Sequence, residues 1–453
     1  MKYIGIALIL VLILTLIGCK KSIKIIDNEP INPDRDRYSK FVVNPTVIYQ
    51  EMESFGASSG WWSQYVGGWD DTREEIMEYL YSKDKGIGLT NYRFNIGAGS
   101  KNDNSIRDLW RRSESFEVSP SVYDFSKDEN AVWAMRKAVE LGVEEIVFFA
   151  NSPPPRMTLS GSAVGDDEGK SNMNPKMYDE YAIYLLDIVE YFLNEGLPIK
   201  YLSPINEPQW DWGKNGSQEG CHFEPNEVVL VYEAVITEIN RRGTNILLSG
   251  PESGEWGGRA TEYIDAMLSS DIVKNHIKTI DVHSYWTNKG TKEQFKKYAE
   301  TNLKEYSLVM SEWTEMVNGK DFGMDSALNL ASEMLTDLEV LEVVSWQYWI
   351  AVSKYDYRDG LIYVDEPTHK YKDTKRLWAL GNFSRFIETG AHRIDIDTES
   401  MILEGLEYIA FQNDNEVIIV VVNDTIFDYD YAVDFIESDY SSVEIHTTSE
   451  DYN

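Results

Sequence analysis

The chain has 453 residues, with 76 acidic against 42 basic side chains for a net charge of −34, and it is 43% hydrophobic and 13% aromatic. That length supports a large core and more than one domain. The acidic balance without a basic patch argues against nucleic acid and mildly against polyanionic glycans, and the six histidines show no metal-ligand spacing, so neither a metal nor an organic cofactor is implied.

At the N-terminus, Lys2 precedes an apolar stretch from Ile4 to Ile17, followed by Gly18-Cys19-Lys20-Lys21. This order reads as a signal peptide over 1–18. Leu16-Ile17-Gly18-Cys19 resembles the bacterial lipobox, which implies cleavage before Cys19 and lipidation of that cysteine. The stretch is short for a membrane span, and an uncleaved anchor helix is the alternative. Under the lipobox reading the protein sits at a bacterial cell envelope, facing outside the cytoplasm, and touches the membrane only through its lipid. Residues 19–40 are polar and turn-rich and read as a tether. With Cys19 so used, Cys221 is single; no intrachain disulfide is available, and packing is its expected role.

From residue 41 the chain alternates. FVVNPTVIYQ (41–50) reads as one or two strands, and SFGASSGWW (54–62) as a short strand ending in glycine and serine. Then come a helix at 72–82, a strand at 86–97, a helix at 131–142 with a glycine stop, a strand at 144–155 closed by prolines, and a long amphipathic helix at 177–196. YLSPINEP (201–208) is the fourth strand. Helices at 227–243, 260–270, 292–303, 326–341 and 374–387 alternate with strands at 245–253, 279–286, 307–313 and 343–350. Eight strands alternating with eight helices predict a (β/α)8 barrel over 54–388. A doubly wound open sheet is the runner-up, but no glycine-rich phosphate loop follows the first strand. After residue 389 the pattern becomes short strands with polar turns. With 41–53, these predict an appended β-sandwich built from both ends of the chain.

Barrel enzymes carry their sites at the C-terminal ends of the strands. Two runs end there in a carboxylate: YLSPINEP at Glu207, and SLVMSEW (307–313) at Glu312. Glycoside hydrolysis uses such a pair, one carboxyl to protonate the leaving oxygen and one to meet the oxocarbenium-like centre. Eleven of the thirteen tryptophans fall at a strand end or in the loop after it, where indole faces can stack on sugar rings. About half of them are expected to pack the barrel mouth instead.

Asn206-Glu207-Pro208 with Glu312 resembles the clan A retaining glycosidases. The wider context is similar to glycoside hydrolase family 30: Phe55-Gly56-Ala57-Ser58 followed by Trp61-Trp62, Arg93 in TNYRFNIGAG, ANSPPP with Met157, SPINEPQWDW, DVHSYW and SEW. The resemblance implies Glu207 as acid/base and Glu312 as nucleophile. It implies Asn206 on the sugar 2-hydroxyl, Arg93 under the nucleophile, His283 and Tyr285 lining the same subsite, and Trp346 as its floor. Asn151, Trp61, Trp62, Trp210 and Trp212 complete the implied substrate contacts. Two features depart from the family pattern: Arg156, where an aromatic often follows the prolines, and a chain that ends at TSEDYN, where further sandwich strands are expected.

Family members cut β-1,6-galactan, β-1,6-glucan, β-1,4-xylan or smaller β-glycosides. The Trp61-Trp62 pair and the lack of a basic cluster for glucuronate favour an endo-β-1,6-galactanase acting as a monomer on a polysaccharide. A xylanase or β-1,6-glucanase of the same family is the alternative. From other classes, a non-catalytic glycan-binding lipoprotein would have no use for two carboxylates, and an aldolase would need a lysine or phosphate site at the strand ends.

Overall fold

The computed structural model describes residues 8–16, 23–25, 38–213, 216–398, 405–425, 430–436 and 440–453. Its largest sheet is all parallel. Numbering the barrel strands alone, these are β1 (Ser54–Ser58), β2 (Asn91–Asn95), β3 (Glu145–Phe149), β4 (Ile199–Ser203), β5 (Leu247–Leu248 and Pro251–Ser253), β6 (Thr279–His283), β7 (Ser307–Trp313) and β8 (Ser345–Tyr348). Each pairs with its sequence neighbour, and β8 returns to β1 with Trp346 opposite Phe55. The ring closes through β5, which is broken in the middle. Its first piece bonds β4 and its second bonds β6. The result is the expected (β/α)8 barrel.

The connecting helices follow from their sequences. Pro225–Arg242 shows how: proline opens its first turn, Glu224 and Glu227 form a reciprocal capping box, and Gly243 ends it at φ 73°. Val228, Val231, Tyr232, Val235, Ile236 and Ile239 face the barrel at three- and four-residue spacing. The predicted helix 326–341 is instead two pieces, an α-helix Met324–Thr336 and a π-turn Asp337–Leu341. The wider turn carries the buried Asp337, which accepts from Ser284 and from the Trp346 indole and pairs with Lys292.

The second unit is an eight-stranded mixed sheet in the order Ile23–Ile25, Asp430–Phe435, Tyr38–Glu51, His392–Thr398, Leu406–Gln412, Glu416–Asn423, Leu8–Leu16, Tyr440–Thr448. Phe435, second in that order, packs 4.1 Å from Tyr440 in the eighth strand, so the sheet curls until its ends meet. The strand EVIIVVVN is apolar on both faces for this reason. Val417, Ile419 and Val421 enter the core of this unit, while Ile418, Val420 and Val422 join the barrel's core.

The N-terminal reading differs from the structure here. Residues 1–18 were expected outside the fold, yet Leu8–Leu16 pairs with both Glu416–Asn423 and Tyr440–Thr448. LILVLILTL is a nearly unbroken apolar run with Ile, Val and Thr at four of nine positions, which suits a central strand as well as a leader core. Cys19 and most of the tether lie outside the described residues. Among the described residues no helix is long and apolar enough to cross a membrane.

Candidate active site

The C-terminal tips of the barrel strands open into a cleft of about 1070 Å³ that contains both Glu207 and Glu312. One oxygen of each, with one ring nitrogen of His283, lie within 4.8 Å of one another. Glu312 is the sixth residue of β7, and Glu207 lies four residues beyond the end of β4. Glu207 has φ 44°, a left-handed conformation that a residue before proline ordinarily avoids. Its backbone N–H donates to the Glu252 carbonyl at 2.9 Å, and its own carbonyl accepts from the Trp212 indole at 3.0 Å. Gly254 gives its side chain room, since a Cβ there would stand 3.1 Å from Glu207 Oε1 and 2.6 Å from Gln209 Nε2.

A buried charge network lies under the pair. Arg93, on β2 and fully buried, donates to Glu312 Oε2 at 2.7 Å and to Asn206 Oδ1 at 3.0 Å, and stands 3.4 Å from Glu252 Oε2. Asn206 donates to Asn151, which donates to Asn95. Tyr285 donates to Glu312 Oε1 at 3.1 Å. His283 reaches Glu207 through Nδ1 at 3.3 Å and Glu252 through Nε2 at 3.1 Å. Burial disfavours the imidazolium, but Glu312, Glu207 and Glu252 overcome it and raise His283 to about 10. Both ring nitrogens are then donors. Burial pushes the Glu252 carboxyl up, yet Arg93, His283 and Ser311 more than reverse this and hold it near 2. Burial also raises Glu312, against the pull of His283 and Arg93. Burial and the neighbouring Glu252 raise Asp281 well above the usual carboxylate range.

Two cations, Arg93 and His283, face three carboxyls, Glu207, Glu252 and Glu312. Two carboxyls this close suit double displacement, since an inverting enzyme keeps a wider gap for its attacking water.

Aromatic side chains form two sides of the cleft. Trp61 (φ 64°), Trp349 and Tyr355 make one wall, with Trp61 edge-on to Trp349 at 5.0 Å. Trp210, Trp212 and Trp286 make the other, where Trp210 meets Trp286 edge-on at 5.3 Å. Of the described lining residues, seven are carboxylates and one, Arg111, is a cation.

The sequence-derived set therefore divides. Glu207, Glu312, Tyr285, Trp61, Trp210 and Trp212 line the cleft. Arg93, Asn206, Asn151 and His283 are buried behind those lining residues and bear on them through hydrogen bonds. Trp62 and Trp346 do neither. Both are fully buried, with their indoles donating to the Ser58 carbonyl and to Asp337, so Trp346 is core rather than subsite floor. Arg156 pairs with Glu117 and Glu180 and does not line the cleft. Cys221 is a buried free thiol. Glu252 was missed, although GPES places it at a strand tip as YLSPINEP places Glu207. Nothing local marks Asp359, Arg111 or Tyr355, which reach the cleft from long loops.

The sequence profile of O-glycosyl hydrolase family 30 matches residues 38–363. The chain belongs to that family. It is a glycoside hydrolase. It is 23% identical over 377 residues to an endo-β-1,6-galactanase of Hypocrea rufa, covering 77% of this chain and 74% of that one. Among solved structures it resembles a conserved exported protein of Bacteroides fragilis, with TM-score 0.77, 26% identity, and coverage of 84% of this chain and 89% of the other. An endo-β1,6-glucanase shares the fold with TM-score 0.73 at 15% identity, covering 98% and 99% of the two chains.

Proposed function

We propose that this glycoside hydrolase is a retaining endo-β-1,6-galactanase in which Glu312 is the nucleophile and Glu207 the acid/base. The placement of Glu207, Glu312 and His283 within 4.8 Å at the mouth of the barrel carries the mechanism. Glu312, aligned by Arg93 and Tyr285, attacks the anomeric carbon while Glu207 protonates the leaving oxygen. A water then takes the glycosyl group from Glu312, with Glu207 receiving the water's proton.

Two observations support a neutral β-1,6-linked polymer. The Hypocrea rufa relative is named for that activity. The cleft's seven carboxylates against one described cation would also repel a uronate-bearing chain, which disfavours glucuronoxylan. Separately, the lipobox-like Leu16-Ile17-Gly18-Cys19 supports a monomer anchored at the cell envelope through Cys19, a form in which cleavage removes the Leu8–Leu16 strand. A Cys19→Ser variant is then released into the soluble fraction.

The test is reducing-sugar release from β-1,6-galactan, arabinogalactan, β-1,6-glucan, glucuronoxylan and xylan, with products sized and the first-formed anomer read by proton NMR. Short β-anomeric oligosaccharides from β-1,6-galactan are expected. Turnover of glucuronoxylan alone overturns the substrate reading, and an α-anomer formed first overturns the mechanism.

A further inference from the structure

Asp359 lines the cleft outside the catalytic cluster, in the loop after β8. Its backbone carbonyl accepts from Ile350 N at 2.9 Å, which ties the loop to the strand tip beside Trp349. The residue is only 4% exposed; Ser353 and its own backbone N–H act on the carboxyl, yet Oδ1 meets no donor in hydrogen-bond geometry. Nor does it form an ion pair among the described residues. Arg376, a neighbour, directs its donors to the carbonyls of Gly360 and Asp321 and to the Tyr363 hydroxyl. Arg111, the cation of this wall, stacks 4.5 Å over Trp61 and 4.7 Å over Tyr355 and bonds Tyr355 Oη and Ser217 Oγ.

A buried carboxylate oxygen without a donor is costly unless something supplies one. The wall around it offers faces and donors but few acceptors. Trp61 and Trp349 can only donate, and the Tyr355 hydroxyl already donates to Asp108 at 2.7 Å and accepts from Arg111. A sugar stacked on this wall would bring hydroxyl protons that need an acceptor. We propose that Asp359 is a specificity-determining residue that accepts a hydrogen bond from one ring hydroxyl of a neutral glycan held against the Trp61–Trp349–Tyr355 wall. Burial raises its carboxyl to about 6, so the acceptor is ionised at neutral pH and the bond to a hydroxyl is charge-assisted. The proposal rests on the glycosidase assignment but not on galactose being the sugar.

The competing role is structural, in which Asp359 neutralises Arg376, whose Nη1 also lacks a partner. The experiment separates the two. Wild type, Asp359→Asn and Asp359→Ala are assayed on 4-nitrophenyl β-1,6-galactobioside and its monodeoxy analogues, or on the gentiobioside series if that is the one the wild type cleaves. The choice of series judges the substrate reading alone. For one hydroxyl position, wild type should lose about 10²-fold or more in kcat/KM with the deoxy compound, because a site built for a hydroxyl rejects the analogue lacking it. Asp359→Ala should treat that pair alike, and Asp359→Asn should recover part of the discrimination through its amide oxygen. Unchanged penalties in Asp359→Ala at every position overturn the proposal, and a fall in Tm with those penalties unchanged assigns Asp359 to Arg376 instead.

Discussion

The centre of the cleft and its rim differ in what each needs from the rest of the protein. At the centre, Arg93, His283 and Glu252 are fully buried, and Glu312 and Glu207 nearly so, each held by at least one ionic partner. At the rim, Trp286 is 61% exposed and Trp210 37%, and they meet chiefly each other. The centre is preorganised: its charges are already placed where the reaction develops charge, so the step itself requires little rearrangement. The rim supplies stacking surface, which stabilises bound substrate and transition state alike. Substitutions at the centre should therefore change rate, stability or pH dependence, whereas substitutions at the rim should change only KM.

The largest expected effect is at Glu312, the proposed nucleophile. Glu312→Gln keeps the shape but cannot form the glycosyl-enzyme, and turnover should fall by at least about 10³-fold. Glycan binding, read by calorimetry, should persist in that variant because the rim is intact. Normal turnover would remove Glu312 from the mechanism. Next comes Arg93→Met, which leaves Glu252 and Glu312 with His283 alone of the two cations they share. Removing one partner of a buried pair costs about 3–5 kcal/mol, so urea unfolding should show a loss of that order. A loss below about 1 kcal/mol, the range of exposed pairs, would mean that water already screens the cluster.

How much of this was legible in sequence depended on how local each signal was. The barrel could be read because every strand and helix carries its own period, as the face of Pro225–Arg242 does. Glu207 and Glu312 could be read because a strand tip announces itself by a proline or a change of pattern. Trp346 was misplaced because alternation alone does not tell an inward core position from one open to the cleft. Its π-turn partner Asp337 lies nine residues away, and no sequence period marks that turn. Leu8–Leu16 is ambiguous because a leader core and a central strand ask for the same apolar composition. Asp359 and Arg111 are set by loop paths that only the fold reveals.

His283 gives the comparison a pH axis. Its folded pKa of about 10 lies above its ordinary value of 6.5, so the folded state binds the extra proton more tightly. The resulting stability is complete below about 6.5 and is lost as pH rises towards 10. Glu252 works in the opposite sense: held near 2, it contributes stability above its ordinary value of 4.5, which is lost as pH falls through the acid range. Tm measured from pH 6 to 10 should therefore fall more steeply in wild type than in His283→Gln. Parallel profiles would mean that His283 is neutral in the folded protein and leaves Arg93 to face the three carboxyls.

The smallest effect is expected at the rim. Trp286 has φ 51° and projects its ring into solvent, with the Trp210 and Tyr285 rings beside it. Trp286→Ala removes one stacking face, worth about 0.5–1.5 kcal/mol, or roughly two- to tenfold in KM. Stacking of this kind is made equally in ground and transition states, so kcat should be unchanged. The size of the effect should also depend on substrate length. A polymer or long oligosaccharide crosses the rim and loses affinity, whereas a bioside that ends before Trp286 should not register the change. A fall in kcat on the bioside would show that the rim holds Glu207 in place through Trp210, and the separation of centre from rim would then fail.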